Sequence, residues 1–202
     1  MLVDFTGGRN HTKAGKVEEE VRDMDEEVLC LVAGDLETEL LPRLMGRVFH
    51  VTPRKTYPGI VSDGWVKSNQ TGCLGFASSQ SNVSYFRTRG CVSLIDLRTT
   101  TQKQVNDALD KYHFLNPFSS PKDNPAFLFL RESEFCFEQL IPWSDASPTD
   151  MVIPYVEAGY RDRIPLSLVE RVLLLEITYP PTIWDRFDAL LASNEAEKGD
   201  NL

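Results

Sequence analysis

The chain has 202 residues, 42% of them hydrophobic, which suffices to bury one sizeable core, and it reads as a single globular unit. Its 30 acidic against 21 basic residues give a formal charge of -9, so no strong general affinity for nucleic acid is expected, although a local basic groove stays open. No run approaches the roughly 18 to 20 apolar residues of a membrane span, and the N-terminus lacks the order of a secretion signal.

Cys30, Cys73, Cys91 and Cys136 are scattered without metal-ligand spacing. They read as buried thiols in a reducing environment, and the expected location is cytoplasmic with no membrane partner. The glycosylation patterns at Asn69 and Asn82 are accordingly read as chance.

Residues 1–27 are polar and charge-rich and are expected to form a mobile or partly helical leader. Within them "GRNHTKAGKV" lacks the spacing, the hydroxyl and the preceding strand of a phosphate loop. A single domain is expected over residues 28–192, followed by a polar tail over 193–202.

The apolar spacing of "DLETELLPRLM" predicts a helix with Asp35 as cap, bent or ended by Pro42. "GRVFHVT" predicts a strand, and "RKTYPGIVSDG" a short helix closed by Gly64. "CLGFASS" reads as a strand feeding "QSNVSYFRTRG". "CVSLIDL" and "PAFLFLR" read as buried strands on either side of a helical "TTQKQVNDALDKY". "RVLLLEITY" is the last strong strand and "PTIWDRFDALLAS" an amphipathic helix. Strands and helices interleave without the regular crossovers of a doubly wound sheet, which predicts an α+β fold.

His50 ends its predicted strand, and Thr52 shares its face. Alone, this histidine reads as a partly buried residue bonded to a neighbouring backbone group. Tyr85 follows the "GFASS" strand, and Glu157 precedes "RDRIPLSLVERV". In this order His50, Tyr85 and Glu157 resemble the His-Tyr-Glu triad of the ADP-ribosyltransferases related to diphtheria toxin and the poly(ADP-ribose) polymerases. The resemblance covers roughly residues 46 to 176 and extends to "HVT", "YPGIVSDG", "GFASSQSNVSYF" and "YVEAGY". Where the polymerase branch has glycine after the histidine and serine three residues before the tyrosine, this chain has Val51 and Asn82.

The resemblance implies a split mixed and antiparallel sheet with peripheral short helices, and NAD as co-substrate. Breaking the bond between nicotinamide and ribose develops positive charge on the sugar, and a nearby carboxylate stabilises that charge, the role implied for Glu157. Tyr85 would stack on the nicotinamide, and His50 and Thr52 would meet ribose hydroxyls. Val51 would offer its backbone to the carboxamide, with Asn82, Ser81 or Ser84 supplying a side-chain hydrogen bond. Arg54 would reach a cofactor phosphate or else form a surface ion pair.

Glu138, flanked by apolar residues in "FCFEQLIPW", is the rival carboxylate because burial would perturb its pKa. Ser78 and Ser79 are similar to part of the arginine-modifying branch's motif, yet Tyr155 stands where that branch has an acidic residue. The expected partners are therefore NAD and a protein or nucleic-acid acceptor, in a role that extends to toxins and effectors. Two alternatives stand beside the transferase: a non-catalytic module that binds NAD or ADP-ribose, and an RNA 2'-phosphotransferase.

Overall fold

The computed structural model describes residues 24–73, 83–117 and 123–181. The strands are β1 (Asp25–Val32), β2 (Val48–Pro53), β3 (Trp65–Lys67), β4 (Cys91–Asp96), β5 (Pro125–Leu130), β6 (Ile141–Pro142), β7 (Glu157–Arg161), β8 (Arg163–Pro165) and β9 (Val169–Thr178). Seven form one mixed sheet in the order β1-β9-β5-β2-β4-β7-β6, and β3 pairs with β8 in a small second sheet. The α-helices are short: α1 (Leu41–Leu44), α2 (Tyr57–Asp63), α3 (Tyr85–Thr88) and α4 (Gln102–Leu109). This is a mixed α+β architecture.

Strand burial follows the sequence pattern. All six residues of "PAFLFL" in β5 are buried, because β5 lies between β2 and β9 with side chains packed on both faces. One face holds Phe49, Phe127, Phe129, Leu173 and Leu175. The other holds Val48, Leu94, Leu128, Val172 and Leu174. α4 carries a capping box that the sequence reading did not single out, with the Thr101 hydroxyl and the Gln104 side chain satisfying each other's backbone N–H groups. Gly64 closes α2 at φ 73, a left-handed conformation that glycine adopts without Cβ strain.

Several features differ from expectation, and of the cysteines expected to be buried only Cys91 is, while Cys30, Cys73 and Cys136 are exposed. β1 begins at Asp25, inside the range assigned to the leader, because its backbone pairs in parallel with all of Arg171 to Thr178; the ladder, rather than apolar side chains, recruits "DEE". Between residues 33 and 44 the chain forms a 3-10 turn, a wide π-type turn over Leu36–Leu40 and then α1. Pro42 opens α1 instead of ending it, since a missing N–H costs nothing in a first turn. Asp35 makes no side-chain cap; Thr38 donates its hydroxyl to the Asp35 carbonyl. The strand expected over "CLGFASS" and the helix expected over "PTIWDRFDALLAS" fall outside the described residues, except for their first positions. So do the polar tail and most of the leader.

The sheet has one weak seam. Only Val48↔Asp96 and Phe49↔Ile95 pair β2 with β4, against five residue pairs between β2 and β5 and five between β4 and β7. Beyond Phe49 the two strands part, and His50 is the next residue.

Candidate functional site

Continuing the β2–β4 register past the seam would set Val51 opposite Ser93. The His50 ring takes up the Ser93 carbonyl instead, with Nδ1 2.9 Å from that oxygen. A carbonyl only accepts, so Nδ1 carries the proton and Nε2 keeps its lone pair. Burial lowers the His50 pKa, only partly offset by the bond to Ser93, so the neutral ring prevails at neutral pH.

Ser93 also faces the other way. Its hydroxyl donates to Glu157 Oε1 at 2.7 Å, and the Ile153 N–H donates to Oε2 at 2.8 Å. The Glu157 N–H in turn donates to the Ile153 carbonyl, closing the turn that enters β7. Glu157 is 7% exposed, and burial pushes its carboxyl above the usual carboxylate range against the opposing effect of its two donors. Within that turn Tyr155 is held at φ 68, its carbonyl accepting from Thr100 Oγ1 and its ring packed on Trp143.

His50 and Glu157 therefore meet through one residue rather than directly. Phe49, Ile95 and Glu157 are successive cross-strand partners and share a face. His50 lies opposite Leu128 and leaves β2 on the other face, at the edge where the strands diverge.

Tyr85 opens α3 and lies on the Glu157 side of the sheet. A Cβ on Gly159, two residues along β7 from Glu157, would overlap the Phe86 ring, so the missing side chain is what seats α3 there. Tyr85 is buried, packs edge-on against Phe86 with centroids 4.9 Å apart, and donates its hydroxyl to the Asp145 carbonyl at 2.8 Å. The Arg89 guanidinium lies 3.8 Å from the centre of its ring.

The remaining candidates are more dispersed. Thr52 is buried, 2.6 Å from Thr56 Oγ1; because Thr56 gives its proton to the Pro53 carbonyl, Thr52 is the donor in this pair and keeps its lone pairs. Val51 packs against the core beside Phe49. Arg54 is bound to Glu176 at 2.7 Å, the ion-pair alternative, and a phosphate would have to displace that carboxylate. Ser81 and Asn82 lie outside the described residues, as do Ser78 and Ser79.

Glu138 departs from its expected burial. It sits exposed in a 3-10 turn, and its own backbone N–H and the Cys136 thiol lower its pKa. Its flanking aromatics turn away into the core while the carboxylate faces water, so Glu157 is the buried acid of the two.

Ser93 and Gly159 escaped the sequence reading. The signals were a lone hydroxyl inside the apolar "CVSLI" and a glycine inside a strand, where a close approach is the common cause. No clusters of metal-ligating side chains occur among the described residues, and no helix there is long and apolar enough to cross a membrane. No protein-family model, curated protein or solved structure matches the chain.

Proposed function

We propose that this protein cleaves NAD at the bond between nicotinamide and ribose and transfers the ADP-ribose to a macromolecular acceptor. The observation that carries the reading is the Ser93 junction, where a neutral histidine and a buried carboxylate meet at the seam of the sheet. The seam divides the sheet into β1-β9-β5-β2 and β4-β7-β6, which supports the split arrangement that the His-Tyr-Glu resemblance implies.

In this reading His50 Nε2 accepts a hydrogen bond from a ribose hydroxyl, and Thr52 accepts a second. The Tyr85 ring lies along the nicotinamide. The glycosidic C–N bond breaks, and nicotinamide leaves with the bonding pair as a neutral base. Glu157 stabilises the positive charge on the ribose while the acceptor's nucleophile bonds to the anomeric carbon and releases its proton to a carboxylate oxygen. Ser93 positions Glu157 and does not touch substrate. A carboxyl raised by burial suits that duty, since it moves toward the pH at which proton transfer is efficient.

One feature favours a second reading. Both Glu157 oxygens and the Tyr85 hydroxyl already have partners inside the protein, as they would in a module that binds NAD or ADP-ribose without cleaving it.

The test follows nicotinamide release from NAD by the purified chain, with and without a cell lysate as acceptor source. Release that disappears in Glu157→Gln, with labelled ADP-ribose appearing on a lysate component, is the expected result. NAD binding without release selects the module. Absence of both, in protein shown to be folded, overturns the proposal.

A further inference from the structure

Ion pairs tie most of the described cations to carboxylates, including Arg43, Arg47, Arg54 and Arg98. Arg89, Arg161 and Arg163 enter none of those pairs and are all exposed. They lie close together where β7 turns into β8, beside the turn that leads into β4. Arg161 is the cross-strand partner of Cys91, two residues from Arg89, and Arg163 is the cross-strand partner of Lys67. Past Lys67 the chain folds back onto the same place: Arg87 Nε donates to the Asn69 carbonyl at 2.8 Å, and the Gln70 side chain lies against Gly90.

The manner in which two of these guanidiniums are held matters as much as their position. Arg163 lies 4.0 Å from the centre of the Trp65 ring and Arg89 3.8 Å from that of Tyr85. Stacking fixes the plane of a guanidinium without consuming its N–H donors, whereas a carboxylate would occupy them. The opposing charges nearby are Asp162, between Arg161 and Arg163, and Asp63, which pairs with Lys67 at 2.7 Å.

We propose that this surface, formed by Arg89, Arg161 and Arg163 with Lys67 and Trp65, seats the phosphate backbone of a single nucleic-acid strand. Several cations spread over two sheets suit a repeated anion better than one phosphate. Three of the four are arginines, whose planar fork matches a phosphate bidentately. A strand is narrow enough to lie along the patch, and the acidic remainder of the surface is screened beyond a Debye length of about 8 to 10 Å. A bilayer, being broad, would bring its anionic face against the acidic surroundings as well. The patch adjoins the proposed NAD site where Arg89 stacks on Tyr85, but it does not require NAD cleavage, and its test reads strand binding alone.

The experiment measures fluorescence anisotropy of a labelled 20-mer single strand with the full chain, across a salt series. Binding that strengthens as salt is lowered is expected, with Arg161→Glu plus Arg163→Glu weakening it about tenfold or more and flattening the salt slope by roughly one to two units. Arg161→Gln plus Arg163→Gln gives an intermediate loss and serves if the reversed pair fails to fold. The control Lys55→Glu plus Lys103→Glu alters the same net charge away from the patch and leaves binding within about twofold, as expected when screening confines the effect to local cations. No binding at low salt, equal losses in patch and control variants, or tighter binding to phosphatidylserine vesicles than to the strand each overturn the proposal.

Discussion

The two sides of the seam are built differently. In β9-β5-β2 the inward positions are mainly aromatic and aliphatic, and Phe49, Phe127, Phe129 and Leu173 are fully buried. In β4-β7 the same sheet face carries a serine, a carboxylate and a glycine at Ser93, Glu157 and Gly159. The first half holds the fold by packing, and the second gives up packing for hydrogen bonds and for the close approach of α3. The division places the polar groups and the packed aromatics on opposite sides of the β2–β4 seam.

The contrast breaks most severely from the packed side. Phe129 lies 5.6 Å from Phe49 between ring centroids, with the guanidiniums of Arg47 and Arg171 over its face. Phe129→Ala opens a cavity that rigid neighbours cannot fill, and chemical denaturation is expected to show a loss of about 3 to 5 kcal/mol. A loss below 1 kcal/mol would mean that this wall relaxes and is not the rigid half.

Gly159→Ala probes the equipped side by overfilling it. The added methyl meets the Phe86 ring, so α3 must shift, at a cost of about 1 to 3 kcal/mol. Because α3 carries Tyr85, NAD affinity is expected to fall with stability, whereas Phe129→Ala, once folded, should bind NAD as wild type does. Titration of NAD against both variants by calorimetry separates the two walls, and equal affinities would remove Tyr85 from the site.

How much of this could be read from the chain depended on the physical signal. Apolar runs announced β2, β4, β5 and β9, because a buried strand needs nothing but side chains of the right kind. His50, Tyr85 and Glu157 were singled out by their order and surroundings alone, and of their arrangement only the shared contact of His50 and Glu157 with Ser93 is seen in the structure. β1 was not, since its leading "DEE" is recruited by backbone pairing with β9, which leaves no trace in hydrophobicity. Pro42 misled because proline both ends and opens helices. Ser93 is a single hydroxyl in an apolar strand, and only the three-strand register shows that it stands between a histidine and a carboxylate.

Ser93→Ala sharpens the comparison by striking one partner of the junction and sparing the other. The His50 bond goes to the backbone carbonyl and survives, while Glu157 loses its hydroxyl donor. A hydrogen bond to a carboxylate contributes about 1.5 to 3 kcal/mol, so a loss near the lower end is expected at neutral pH. Loss of the donor also raises the Glu157 pKa further, and infrared difference spectroscopy of the carboxyl band across a pH titration reads this directly. A band that titrates as in wild type would show that Ser93 does not support Glu157.

The smallest change in stability is expected from Glu157→Gln, and its pH dependence carries the information. The amide is nearly isosteric: its oxygen can accept from the Ile153 N–H, and its NH2 group can donate to Ser93 once that hydroxyl rotates from donor to acceptor. In the wild type, burial holds the Glu157 carboxyl above its unfolded value of about 4.3. The native state therefore keeps a proton that the unfolded chain has already released. The stability this contributes is full below the unfolded pKa and is lost as pH rises through the native one. His50 runs the opposite way, since its native pKa is lowered and its contribution is lost as pH falls below about 6.5. Glutamine removes only the first effect. Variant minus wild type should accordingly sit within about 0.5 kcal/mol near pH 4, rise in the variant's favour as pH increases, and level off once the native carboxyl has ionised. A flat difference from pH 4 to 8 in paired urea melts would mean that Glu157 ionises in the native protein as freely as in water. The buried acid of the equipped wall would then be an ordinary carboxylate.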